Sequence, residues 1–177
     1  MTPKTEEEQR DGKRWSDVEE ATELLHEERF KEALVELRRV LRDDPKNAYA
    51  YYFLGVGLFE IGELEAARDA YTASLKLAPG HLGARVALVH VLRMTGDSRG
   101  AIREGMTALS QAPGDPDALH AIGLAYHAYG DEKAARKYLE AFLETGPELE
   151  VTLETRALLG TFEGAAPPAN EDDDPDD

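Results

Sequence analysis

Pro45, Pro79, Pro113 and Pro147 stand 34 residues apart along the chain. With proline at about 5% of residues, three further prolines falling into that register by accident has a probability on the order of 10⁻⁴. Ala33, Ala67, Ala101 and Ala135 keep the same interval, as do Gly62, Gly96 and Gly130. A fixed period of this length restricts the fold to repeated units of supersecondary structure stacked side by side. Each unit reads as two helices. In the unit around residue 60, an apolar segment from Ala48 to Ile61 stops at Gly62, and the segment ELEAARDAYTASLKLA stops before Pro79. Glycine accepts the left-handed conformation that closes a helix, and proline cannot continue one. Asn47, and Asp115 followed by Pro116, supply helix starts. No stretch alternates like a half-buried strand, so the expected class is all-α.

Aligned on their prolines as slot 32, the units are 14–47, 48–81, 82–115 and 116–149. The second carries Tyr51, Leu54, Gly55, Leu58, Ala67, Tyr71, Ser74 and Pro79 at slots 4, 7, 8, 11, 20, 24, 27 and 32. The fourth carries Leu119, Ile122, Gly123, Tyr126, Ala135, Leu139 and Pro147, with bulky Phe142 at slot 27. The third departs at Arg85, Val89 and Gly105, and the first places Asp17 and Glu20 where apolar residues belong. This pattern resembles the tetratricopeptide repeat family. The resemblance implies an α-solenoid of stacked helix–turn–helix repeats with a right-handed superhelical course. Residues 148–163, with Leu149, Val151, Leu153, Leu158 and Phe162, are expected to form a capping helix over the open end. Residues 1–13 and the acidic tail 164–177 are expected to be disordered, for want of large apolar residues.

The resemblance also implies which side chains face the concave side: those near slots 2, 5, 9, 12 and 13 of each first helix. The candidate partner-binding groove is then Tyr49, Tyr52, Val56, Phe59, Val86, His90, Arg93, Met94, His120, Leu124 and His127. The same slots of the first unit hold Trp15, Val18, Thr22, Leu25 and His26. Tyr52, Phe59 and Tyr49 are expected as aromatic anchors, and His90, Arg93 and His127 as polar orienters. Aromatic and aliphatic groups on slots that should face water are the mark of a binding surface. Some members of the family hold a peptide's terminal carboxylate with Lys at slot 5 and Asn at slot 9. Slot 5 here is Val18, Tyr52, Val86 and His120, and slot 9 is Thr22, Val56, His90 and Leu124, so that clamp cannot be assembled.

Composition narrows the partner. The formal charge is −16, and the last seven residues carry six of the acidic groups, leaving the rest near −10. Nucleic acid and anionic membrane are therefore not expected as partners. The absence of cysteine excludes disulfides and thiolate chemistry. No signal-like or membrane-spanning run is seen, so a cytoplasmic address is the expectation. Three histidines on one face, His90, His120 and His127, raise a metal site, but scattered surface histidines are commoner, and neither metal nor cofactor is expected. No nucleophile elbow, phosphate loop or HExxH is present, so an enzyme is not expected. The functional expectation is an adaptor or scaffold that binds an apolar peptide or helix of a protein partner in the groove. The alternatives are a chaperone for an assembly or secretion client, and a homodimer or larger homo-oligomer that fills its own groove.

Overall fold

The computed structural model describes residues 5–162. Its elements in chain order are α1 (Glu6–Ser16), α2 (Glu19–His26), α3 (Phe30–Asp43), α4 (Ala48–Glu60), α5 (Leu64–Leu77), α6 (Leu82–Met94), α7 (Ser98–Gln111), α8 (Pro116–Tyr129), α9 (Glu132–Glu144) and α10 (Leu149–Phe162). No strand occurs among the described residues. Helices α4, α6 and α8 begin 34 residues apart, and so do α3, α5, α7 and α9. The chain is thus a solenoid of helical hairpins closed by a further helix.

The period works through the helix ends. Gly62, Gly96 and Gly130 sit at φ of +82°, +86° and +90°, the left-handed region, where they turn each first helix into its second. The opposite ends are capped by side chains: Asn47, Asp97, Asp115 and Asp131 each accept from the backbone N–H three residues on. His81 does the same through Nδ1, which accepts from Ala84 N–H at 3.1 Å. Buried Asn47 also donates through Nδ2 to the Arg14 carbonyl at 2.9 Å, tying the end of α1 to the start of α4.

Four apolar clusters follow one another along the stack instead of one central core. Val18, Ala21, Leu37, Val40 and Ala50 form the first, and Leu34, Leu58, Tyr71, Leu88 and Val91 are part of the next. Val86, Val89, Ala101 and Ala121 belong to the third, and Ala135, Leu139, Leu159 and Phe162 form the last. The small slots set how closely helices approach. Gly55 abuts the Tyr71 ring, Gly105 abuts Ile122 and Gly123 abuts Leu139. Gly105, where the repeat expects a bulky residue, is therefore a packed position whose space Ile122 fills.

Two places differ from the sequence expectation. Of the segment 1–13 expected to be disordered, the described part is helical from Glu6, started by a capping box in which Thr5 Oγ1 accepts from Glu8 N–H and the Glu8 carboxylate accepts from Thr5 N–H. None of the residues of α1 is buried, which is why its sequence carries no apolar periodicity. Consequently the first unit is interrupted between α1 and α2, and Val18, expected on the open face, is fully buried. The tail 164–177 lies outside the described residues.

Candidate functional site

The first helices of the hairpins, α2, α4, α6 and α8, lie side by side and form one face. At its centre two clefts meet at Tyr52. One, of about 260 Å³, lies between α4, α6 and the start of α8 and is lined by Tyr52, Leu82, Val86, His90, Asp115 and Asp117, among others. The other, of about 390 Å³, lies between α2 and α4 and includes Leu25, Phe30, Tyr52, Phe53, Val56 and Glu60. Tyr52 is half-buried. Its ring lies 4.6 Å from His81, 5.0 Å from Phe53 and 6.1 Å from Tyr71, contacts that fix it while leaving part of it open. Burial, and then the charge of Asp117, push its phenol above the ordinary range.

Six further candidates lie on α4, α6 and α8, and of these Val56, Val86 and His90 line the clefts beside Tyr52. Val86 is buried at the floor of the cleft, Val56 is half-buried, and Met94 stands 49% exposed one turn past His90. His90 is held neutral: burial, followed by the charges of Arg93 and His120, pulls its pKa down to about 4. Arg93 is half-buried, and its Nε is enclosed without a hydrogen-bond partner. His120 stacks on Phe142 at 4.5 Å, and burial pulls its pKa below the ordinary value, partly opposed by Asp117.

The remaining candidates are drawn away from this centre. The Tyr49 hydroxyl donates to Asp11 of α1 at 3.0 Å, and its ring meets Trp15 edge-on at 5.4 Å. Tyr49 thus faces a separate cavity of about 880 Å³ between α1, α4 and the end of α5, lined by Glu6, Asp11, Arg14, Lys46 and His81 among others. Phe59 packs against the cluster of Leu58, Tyr71 and Val91. Leu124 packs on the last cluster, and the His127 ring lies 5.3 Å from Phe162, so α10 comes over this end of the face. The three histidines do not converge, and no group of His, Asp and Glu among the described residues is arranged to hold a metal ion. Sequence reasoning missed Phe53 and His81 beside Tyr52. Neither occupies an open-face slot; only a helix start that lacks Ser, Asp or Asn marks His81 as a capping residue with a second contact.

Tetratricopeptide repeat profiles match residues 18–81 and 116–147. The chain belongs to the tetratricopeptide repeat family. Solved structures agree on the fold. A crystal structure of MamA is 28% identical, covering 82% of this chain and 81% of that one, with a TM-score of 0.68. A MamA from Desulfovibrio magneticus RS-1 is 22% identical over 85% of this chain and 84% of that one, with a TM-score of 0.75. YrrB, described as a tetratricopeptide protein with an unusual peptide-binding site, is 21% identical over 77% of this chain and 71% of that one, with a TM-score of 0.69. No curated protein sequence matches the chain. Tetratricopeptide stacks are protein–protein interaction modules, and among the described residues no helix is long and apolar enough to cross a membrane.

Proposed function

We propose that this tetratricopeptide chain is a non-enzymatic adaptor that holds an apolar segment of a partner protein against the face formed by α2, α4, α6 and α8. The observation that carries this reading is Tyr52. It is anchored on three rings yet open to both clefts, so a partner side chain on either side completes its burial. A rigid, half-desolvated aromatic at the centre of a groove loses little entropy on binding and is the residue type that most often dominates interface energy. Val56 and Val86 supply apolar wall beside it, and Met94 adds an exposed apolar side chain at the far end of α6. The peptide-binding site named for YrrB supports a peptide as the ligand type.

Affinity capture with the wild-type chain and with Tyr52→Ala/Met94→Glu, read by mass spectrometry, tests the reading. Both positions are solvent-accessible, so the double variant is expected to keep its helical circular dichroism while losing partners that the wild type retains. Equal capture by the two proteins, with the fold intact, would sink the assignment. Phe59 is left unaltered because it supports the α4–α5 packing.

A further inference from the structure

Five arginines are half-buried among the described residues: Arg14, Arg68, Arg85, Arg93 and Arg136. Four of them have a carboxylate. Arg14 meets Asp44 at 2.7 Å, Arg68 meets Asp69 at 3.4 Å, Arg85 meets Glu104, and Arg136 meets Glu140 at 3.6 Å. Arg93 has no ion pair with any described residue, and its buried Nε has no acceptor. This is in a chain where 36 Asp and Glu outnumber 20 Lys and Arg. A partly desolvated guanidinium that no carboxylate reaches, in a chain with acid to spare, is a donor fork without its acceptor. The titratable groups nearest to it do not serve. His90 and His120 flank it, and burial keeps both neutral at pH 7. Asp117 and Glu154 act on His120, and neither hydrogen-bonds Arg93.

We propose that Arg93 is an anion-binding subsite of the groove, and that it takes the side-chain carboxylate of an Asp or Glu set within the apolar partner segment. The proposal rests on the adaptor reading above and specifies the partner's chemistry. The planar guanidinium matches one carboxylate bidentately. The surroundings select what carries that carboxylate. Tyr52 and Val86 lie toward one end of α6 and Met94 toward the other, so the segment continues past Arg93 in both directions with large apolar residues. A chain-terminal carboxylate is not the fit, because slots 5 and 9, which would hold one, carry neither Lys nor Asn in any unit. Nor is the protein's own tail: residues 163–177 carry seven acidic groups and no large apolar residue. Its multiple charges would meet Asp115, Asp117 and Glu60 around the same clefts.

Selection of random twelve-residue peptides displayed on phage against the full chain tests the subsite. The expected winners share one Asp or Glu at a fixed position between large apolar residues. A synthetic winner should bind about tenfold more weakly to Arg93→Gln. Changing that Asp to Asn, or Glu to Gln, in the peptide should cost the same, and the two changes together no more than either alone. Arg93→Lys should restore part of the affinity, as a point charge without the fork. The peptide-side change leaves the protein untouched, so a misfolded Arg93 variant does not blunt the test. Winners that lack a fixed acid, and that are lost on Tyr52→Ala but not on Arg93→Gln, would overturn the subsite and leave the adaptor reading standing. Enrichment of nothing above the Tyr52→Ala background would remove the adaptor reading and the subsite with it. Acid-dependent binding that strengthens when the chain is ended at Phe162 would assign Arg93 to the protein's own tail and overturn the partner assignment.

Discussion

Gly55 has no room for a side chain. A Cβ there would lie 2.5 Å from the ring of Tyr71, which is only 3% exposed and cannot swing aside. Alanine in a helix gains about 1 kcal/mol over glycine, but overpacking a fixed ring outweighs it. Gly55→Ala is therefore expected to lower the unfolding free energy by about 1–3 kcal/mol, read as a drop in the urea midpoint. The slot was legible in the sequence, because Gly55 and Gly123 fall at the same place in their repeats. What was not legible is the partner at each small residue, because periodicity gives the face and not the contact. Charge at a single residue gives a second expectation. The pKa of His90 is about 4 when folded against an ordinary 6.5, so the unfolded chain binds the proton more readily. Its contribution is complete above pH 6.5 and is lost as pH falls toward 4, an effect on the order of 2–3 kcal/mol. His81 and His120 are lowered too and add with the same sign. The lowered carboxylates Glu32, Glu36 and Asp44 start from ordinary values of 4.5, 4.5 and 3.8, so they act below that window. Denaturant midpoints measured from pH 7 to 4.5 should decline for the wild type and decline less for His90→Gln. Identical slopes would show that His90 is not the group responsible.

Among the elements, α1 shows what pattern reading misses. Helices α4, α6 and α8 announce themselves by apolar residues between a cap and a glycine. In contrast, α1 is polar except for Trp15 and forms because its ends are well made. Thr5 and Glu8 reciprocate at the start, Glu6 to Glu8 sit at the positive end of the helix dipole, and Lys13 and Arg14 sit at the negative end. Its hold on the stack runs through its second half: Trp15 against Tyr49 and Phe53 at 5.4 and 6.0 Å, the Asp11–Tyr49 hydrogen bond, the Arg14–Asp44 ion pair at 2.7 Å and the Asn47 bond to the Arg14 carbonyl. An element with no buried residue, tied to the stack only through its second half, should open before the rest. Thr5→Ala is expected to cost α1 about 1 kcal/mol, seen as faster amide hydrogen exchange in residues 6–16, with the thermal midpoint of the rest unchanged. Gly12→Ala, where an added Cβ meets nothing within 4 Å, should slow the same amides. An equal change in exchange across α4 and α6 would mean that α1 is part of the cooperative unit.

At the scale of the whole molecule, the register of the prolines and glycines made the pairing of helices readable, because each unit reuses one set of turn and cap positions. The candidate groove was only partly readable. The slots named Tyr52, Val56, Val86 and His90, which line the two clefts. They could not show that the stack's two ends are roofed, with Tyr49 under α1 and Leu124 and His127 under α10, because a repeat pattern carries no information about what lies beyond its last unit. The consequence for stability is directional. In a stack, each hairpin is stabilised chiefly by its neighbours, and the last has a neighbour on one side only. Helix α10 supplies the other side: Leu159 and Phe162 close over Ala135 and Leu139, and Phe162 also lies under the Arg136 guanidinium at 5.7 Å. Ending the chain at Pro147 removes two buried apolar side chains, Leu159 and Phe162, worth roughly 1.5–3 kcal/mol each, and leaves Leu139 facing water. Hydrogen exchange measured along the truncated chain should show protection lost most in α9 and α8, less in α6, and least in α4. A loss of equal size in all four would mean that the repeats unfold as one unit, and that coupling between neighbouring hairpins exceeds their individual instability.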